Sequence, residues 1–142
     1  MISRHTCRPP CNNRRRGAAL IEFAFVAPVF FLMVLGIFEF GRAMMVQALL
    51  AGAAQQGARA GALNGAQASD VTTAVNNYLS AGGISGASTS VSPTPPSSAY
   101  PGQDVKATVS IAYTSVSWLP APSFLQNSTL TSTAIVQRET GQ

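Results

Sequence analysis

The sequence predicts an α+β protein: a long N-terminal transmembrane helix followed by a short helix packed on a small antiparallel sheet. Three observations carry this prediction. An uncharged apolar run, "FAFVAPVFFLMVLGIF" over residues 23–38, follows a cluster of arginines. Apolar residues then recur at helical spacing between Val71 and Leu79, and two later stretches alternate with the period of a strand. The organisation read from these is a basic leader over 1–17, a transmembrane and extended N-terminal helix over 18–63, and a small exported α+β domain over 64–142.

Charge sets the direction of the chain. Residues 1–17 hold Arg4, Arg8, Arg14, Arg15 and Arg16 and no acid. The rest carries Arg42, Arg59, Lys106 and Arg138 against Glu22, Glu39, Asp70, Asp104 and Glu139, a net charge of −1. A nucleic-acid footprint needs basic groups spread over a folded face, and this body has too few, so nucleic acid is not an expected partner. Arginines flanking a short N-terminal span stay on the cytoplasmic side, which predicts a single-pass protein with its N-terminus inside and its C-terminal hundred residues outside. Cys7 and Cys11 are the only thiols and His5 the only histidine, short of the four ligands of a structural zinc site. No metal or cofactor is expected, and the exported part must fold without disulfides.

Counting from Phe23 to Gly41 gives 19 residues, which at about 1.5 Å per helical residue spans ~28 Å, close to the roughly 30 Å hydrocarbon core of a bilayer. Pro28 lies inside the run and reads as a kink, tolerated in lipid. Past Arg42 the stretch "AMMVQALLAGAAQQGARAGAL" stays compatible with a helix. One helix is expected from about residue 18 to about residue 63, fraying at Gly57 and Gly61, with a smooth Ala/Gly surface suited to close packing. Glu39 and Arg42, three apart on one face, read as an ion pair at the outer membrane boundary.

The ordinary reading of a basic–apolar N-terminus is a signal peptide or an uncleaved signal anchor. The apolar region exceeds the usual 7–15 residues of a signal peptide and the helical pattern continues beyond it, which favours the anchor. An unprocessed signal anchor carrying a small periplasmic binding module is therefore the alternative function. It leaves Glu22 unexplained, since a carboxylate in a transmembrane helix costs about 2.5–3.5 kcal/mol at the centre and less near the interface. A cut between Gly17 and Ala18 would create a cationic α-amino group four residues from Glu22, and the two charges could neutralise each other within or between subunits.

The stretch "RRRGAALIEFAFVAPVFFLMVLGIFEFGRAMMVQALLAGAAQQGARAGA" resembles the TadE-like family, minor pseudopilins of the tight adherence (Flp pilus) system. The features that carry the resemblance are "G-x-x-x-x-E-F", a proline inside the span, "G-I-x-E-F-G-R" at its end and "A-R-x-G-A" after it. It covers residues 14–62, and the ending "TSTAIVQRE" is also common in such proteins. The resemblance implies processing by a prepilin peptidase, with Gly17 the last residue of the leader, Ala18 the new N-terminus and Glu22 the assembly glutamate. The family's major pilins have tyrosine after that glutamate, whereas this chain has Phe23 and a longer body, which fits a pseudopilin better than a fibre subunit. Implied partners are the bilayer, the prepilin peptidase, other pilin-like subunits and Tad assembly proteins.

In the body, Val71, Ala74, Val75, Tyr78 and Leu79 line one face of a predicted helix that Ser69 or Asp70 caps and Gly82–Gly83 stop. A Ser/Thr/Pro-rich connection follows, beginning with a short strand near Ile84–Val91. In "DVKATVSIAY", Val105, Ala107, Val109, Ile111 and Tyr113 face one way and Lys106, Thr108 and Ser110 the other. "LPAPSFLQNS" reads as a turn, and "TLTSTAIVQRE" as a strand pairing antiparallel with the previous one. The body has no Cys or His, one Lys and three scattered acids. That inventory offers no paired carboxylates and no nucleophile–base set, so neither an enzyme nor a small-molecule substrate is expected. The sequon Asn127-Ser128-Thr129 is a coincidence in a chain with a bacterial leader.

Overall fold

The computed structural model describes residues 13–117 and 127–138. The expectations for residues 1–12, including Cys7 and Cys11, for residues 119–126 of the predicted turn and for Glu139 lie outside the described residues. The elements are α1 (Asn13–Ala62), α2 (Ala68–Ala81), β1 (Ser88–Ser92), β2 (Asp104–Ala112) and β3 (Thr129–Gln137), with 3-10 turns at Pro96–Ser98 and Tyr113–Ser115. The chain divides into two compact units, Met1–Phe38 and Glu39–Gln142.

The first unit contains the start of α1. The helix begins at Asn13, not near residue 18. Arginine is a good helix former, and one glycine, costing about 1 kcal/mol, is too weak to hold off a helix that continues into a long apolar run. Pro28 lies within the helix. The side chains here are large, apolar and uncovered: Phe25 is 77% exposed, Leu32 70% and Phe23 68%. An 18-residue window with mean hydropathy 2.5 has none of its residues buried. A core helix of such hydropathy in a water-soluble fold would be covered by its neighbours, so the solvent that fits this surface is lipid and the helix is a single-pass membrane anchor.

The second unit packs α2 and the remainder of α1 on one face of an antiparallel sheet with strand order β1-β2-β3. The register pairs Val91 with Ala107 and Ala107 with Ala134. The strand alternation places Val105, Ala107, Val109 and Ile111 of β2 in the core and leaves Asp104 and Lys106 exposed. Opposite them lie Val46, Leu50, Ala53, Ala54 and Ala58 of α1 and Val71, Val75 and Leu79 of α2. These positions recur every three to four residues, which puts them on one side of each helix.

The expected fraying at Gly57 and Gly61 does not occur: α1 is continuous to Ala62, and both glycines are buried. A Cβ on Gly57 would come 2.7 Å from Val75 Cγ2 and 3.3 Å from Val71 Cγ1, and one on Gly61 3.0 Å from Val105 Cγ1. The smooth face is thus used inside the unit, where α1 approaches α2 and β2 most closely. That packing offsets the low helix propensity of glycine.

The N-cap of α2 lies two positions before Ser69 and three before Asp70, the predicted caps. Gln67 is the N-cap, and Asp70 acts as the reciprocal acceptor of the capping box, taking the Gln67 N–H at 2.9 Å. At its end Gly83 adopts φ +73°, and the Ile84 N–H reaches back to the Leu79 carbonyl at 2.9 Å, closing the last turn. Ile84 therefore seals the helix end, and the first strand starts later, at Ser88. Arg138, just after β3, donates through Nη1 to the carbonyls of Ser97 and Ala99 and through Nη2 to Asn64 Oδ1. One side chain thereby ties the α1–α2 turn to the proline-rich connection, where Pro96 is fully buried.

The sheet's two edges differ. β1 has five residues and runs into Pro93, Pro95 and Pro96. β3 has nine, without a charge or a proline. Arg138 N–H bonds the Gln103 carbonyl and Tyr113 N–H the Ser128 carbonyl, so alternation turns the backbone groups of Thr131, Thr133, Ile135 and Gln137 to the outer edge. There Gln47 Nε2 donates to the Thr131 carbonyl at 3.0 Å.

Candidate functional site

Two groups of residues singled out by the sequence lie on α1. Gly17, Ala18 and Glu22 are all exposed in the first unit. Ala18 and Glu22 are four residues apart, so they share a helical face with an axial separation of about 6 Å. The bond between Gly17 and Ala18 lies within continuous helix, and a Cβ placed on Gly17 would meet nothing within 4 Å.

Glu39 and Arg42 lie at the start of the second unit, and both are half-buried. Each engages the segment after β2. Glu39 Oε1 accepts a hydrogen bond from Tyr113 Oη at 3.1 Å and another from Ser117 Oγ. Arg42 donates through Nε to the Val116 carbonyl. Val116 is itself buried in the core. Adjacent helical turns thus grip one short segment, the carboxylate taking its hydroxyls and the guanidinium its backbone. Hydrogen bonds to charged groups are the stronger kind, typically about 1.5–3 kcal/mol.

Burial pushes the Tyr113 phenol above its ordinary value, and the hydrogen bond and negative charge of Glu39 push it the same way, against a smaller opposing effect of Ser117. Tyr113 therefore stays protonated at neutral pH and remains a donor to Glu39. The sequence places Tyr113 on the apolar row of the strand; in the structure β2 ends at Ala112 and Tyr113 opens the 3-10 turn. The strand ends there because its hydroxyl and the Val116 backbone both turn to α1. Tyr113 and Ser117 are 74 and 78 residues from Glu39. The one signal for them in the sequence is a phenol at the end of an apolar row, where its hydroxyl needs a partner.

The positions flagged on α1, from Gly17 through Arg42 to Gly57, fall in a single stretch of similarity, since the family model described as TadE-like protein matches residues 17–59. The chain carries a TadE-like segment. The segment begins at the glycine preceding Ala18, contains Glu22, Glu39 and Arg42, and covers about a third of the chain. Comparison with curated proteins and with solved structures gives no significant match. The TadE-like match associates the chain with the Tad pilus system, and together with the apolar helix it fits a membrane protein with pilin-like partners. Residues 60–142, among them the Tyr113–Ser117 segment that holds Glu39 and Arg42, lie outside the match.

Proposed function

We propose that this chain is a TadE-like membrane pseudopilin, processed by a prepilin peptidase between Gly17 and Ala18, that acts in the assembly of Flp-type adhesive pili. The observation that carries the reading is that the TadE-like similarity starts at Gly17 and includes Glu22. Removal of the arginine-rich leader leaves an α-amino cation one helical turn from that carboxylate. Two opposite charges at that spacing lower the cost of keeping either in a low-dielectric setting. The protein sits in the bacterial inner membrane, with its leader cytoplasmic and residues 64–142 in the exported domain, as the five leader arginines favour. Its partners are the prepilin peptidase, other pilin-like subunits and Tad assembly proteins.

The test is N-terminal sequencing of the protein extracted from membranes of cells that possess the peptidase. A mature chain beginning at Ala18 is the expected result. A chain beginning at Met1 would instead support an unprocessed signal anchor holding a small binding module.

A further inference from the structure

We propose that the Glu39–Arg42 turn of α1 and the Tyr113–Ser117 segment form a seat at the outer edge of the bilayer's hydrocarbon layer, with Phe40 and Met44 facing lipid. This rests on α1 being a membrane anchor and on neither leader removal nor pilus assembly.

The lipid-facing surface does not end with the uncharged run. Met33, Ile37, Phe40 and Met44 follow one another at spacings of four, three and four, one continuous stripe along α1. Their exposures are 59%, 64%, 68% and 57%. Val46 and Leu50, on the other side of the helix, are 3% and 0% exposed. The apolar outer stripe therefore runs past the uncharged run to Met44 and stops just before Val46, where the inner side of the helix enters the protein core. An exposed patch of large apolar residues marks a contact surface, and here it continues the surface that already faces lipid.

Length points the same way. Residues 23–38 reach about 24 Å as a helix, short of the roughly 30 Å hydrocarbon thickness, which takes about 20 residues from Phe23 and so ends near Arg42. Glu39 then lies about one turn inside the outer hydrocarbon boundary. A carboxylate there is costly unless its hydrogen-bonding capacity is met by protein. Glu39 has both hydroxyl donors described above, and Arg42 its carbonyl. The same bonds hold Tyr113–Ser117 at the depth of Glu39. A tyrosine with an apolar ring and a bonded hydroxyl is well suited to that layer. Another protein helix could in principle cover the same stripe, but the unbroken continuity with the span favours the bilayer.

The experiment uses the full chain in phospholipid vesicles, with Cys7 and Cys11 changed to serine and single cysteines introduced by Met44→Cys, Thr114→Cys and, as a water-facing reference, Gln55→Cys. All three sites are exposed on the protein surface, so folding is not at stake. Each variant is treated separately with a water-soluble, membrane-impermeant maleimide and with a lipid-dissolved one. The expected result is that the cysteines at 44 and 114 react with the water-soluble reagent at least about tenfold more slowly than that at 55, because water is scarce at their depth. The cysteine at 44 should react with the lipid-dissolved reagent. Reaction of position 44 or 114 with the aqueous reagent at the rate of position 55 overturns the proposal. Protection of position 44 from both reagents also overturns it, assigning the stripe to a protein neighbour. Loss of the chain from the vesicles in an alkaline wash identifies failure of the anchor reading itself.

Discussion

Glu39 is a charged residue whose role depends on what reaches it from far along the chain. It receives two hydroxyl donors, so Glu39→Ala is expected to leave both without their acceptor and to lower stability by about 1–3 kcal/mol. Glu39→Gln keeps an Oε1 acceptor and is expected to cost about 1 kcal/mol or less. Denaturant unfolding of the full chain in mild detergent, followed by tyrosine fluorescence, checks both. The same contact gives a pH dependence. Because the folded protein raises the Tyr113 pKa above its ordinary 10.0, this contact's contribution is fully present below pH 10. It is lost as the pH rises through the folded value. Stability attributable to Tyr113 should therefore be flat through neutral pH and fall only in strong alkali, and Tyr113→Phe should abolish that alkaline limb. The spacing of Glu39 and Arg42 was enough to place them on one helical face, and both engage the segment after β2. Their acceptor and donors were not readable, because nothing local in "AYTSVS" distinguishes a segment that returns to the first helix from one that continues a strand.

At the level of elements, Gly57 and Gly52, both toward the C-terminal end of α1, behave differently. Gly57 lies against Val75 and Val71, short stiff side chains fixed in the core. Gly57→Ala is therefore expected to destabilise by about 1–3 kcal/mol despite alanine's better helix propensity. Gly52 faces the ring of Tyr78, whose Cζ lies 2.7 Å from where a Cβ would be, and Tyr78 is 38% exposed. That ring can swing toward solvent, so Gly52→Ala is expected to be near neutral. Paired thermal melts of the two variants decide the matter. The elements themselves were largely legible: the apolar run, the 3.6-residue period of Val71, Val75 and Leu79, and the two-residue period of β2 each follow from one local pattern. What failed near the end of α1 was the fraying expected at Gly57 and Gly61. A run of Ala and Gly has the same local signature whether it frays in water or fits under a sheet, and only the valines opposite it decide.

For the whole molecule, α1 belongs to both units, its first part surrounded by apolar exposure and its last part built into a core. Composition divides the sequence into an arginine-rich start, an apolar run and a mixed body. It could not reveal that residues 39–62 supply one wall of the second unit, since that wall is made by chain more than forty residues later. The proposed processing site rests on charge and on the TadE-like pattern, and the N-terminus of the mature protein is its test.

The asymmetry of the sheet has a consequence for handling the protein. Among the described residues β3 presents a nine-residue outer border rich in β-branched residues that the Gln47 side chain touches at Thr131, whereas β1 is short and runs into prolines, and nature usually guards such borders. Ile135, 59% exposed, adds an apolar tooth to it. Concentrated protein stripped of detergent should accordingly grow thioflavin-positive fibrils seeded along this rim. Ile135→Lys should delay their onset, because each added strand would then stack one ammonium beside another.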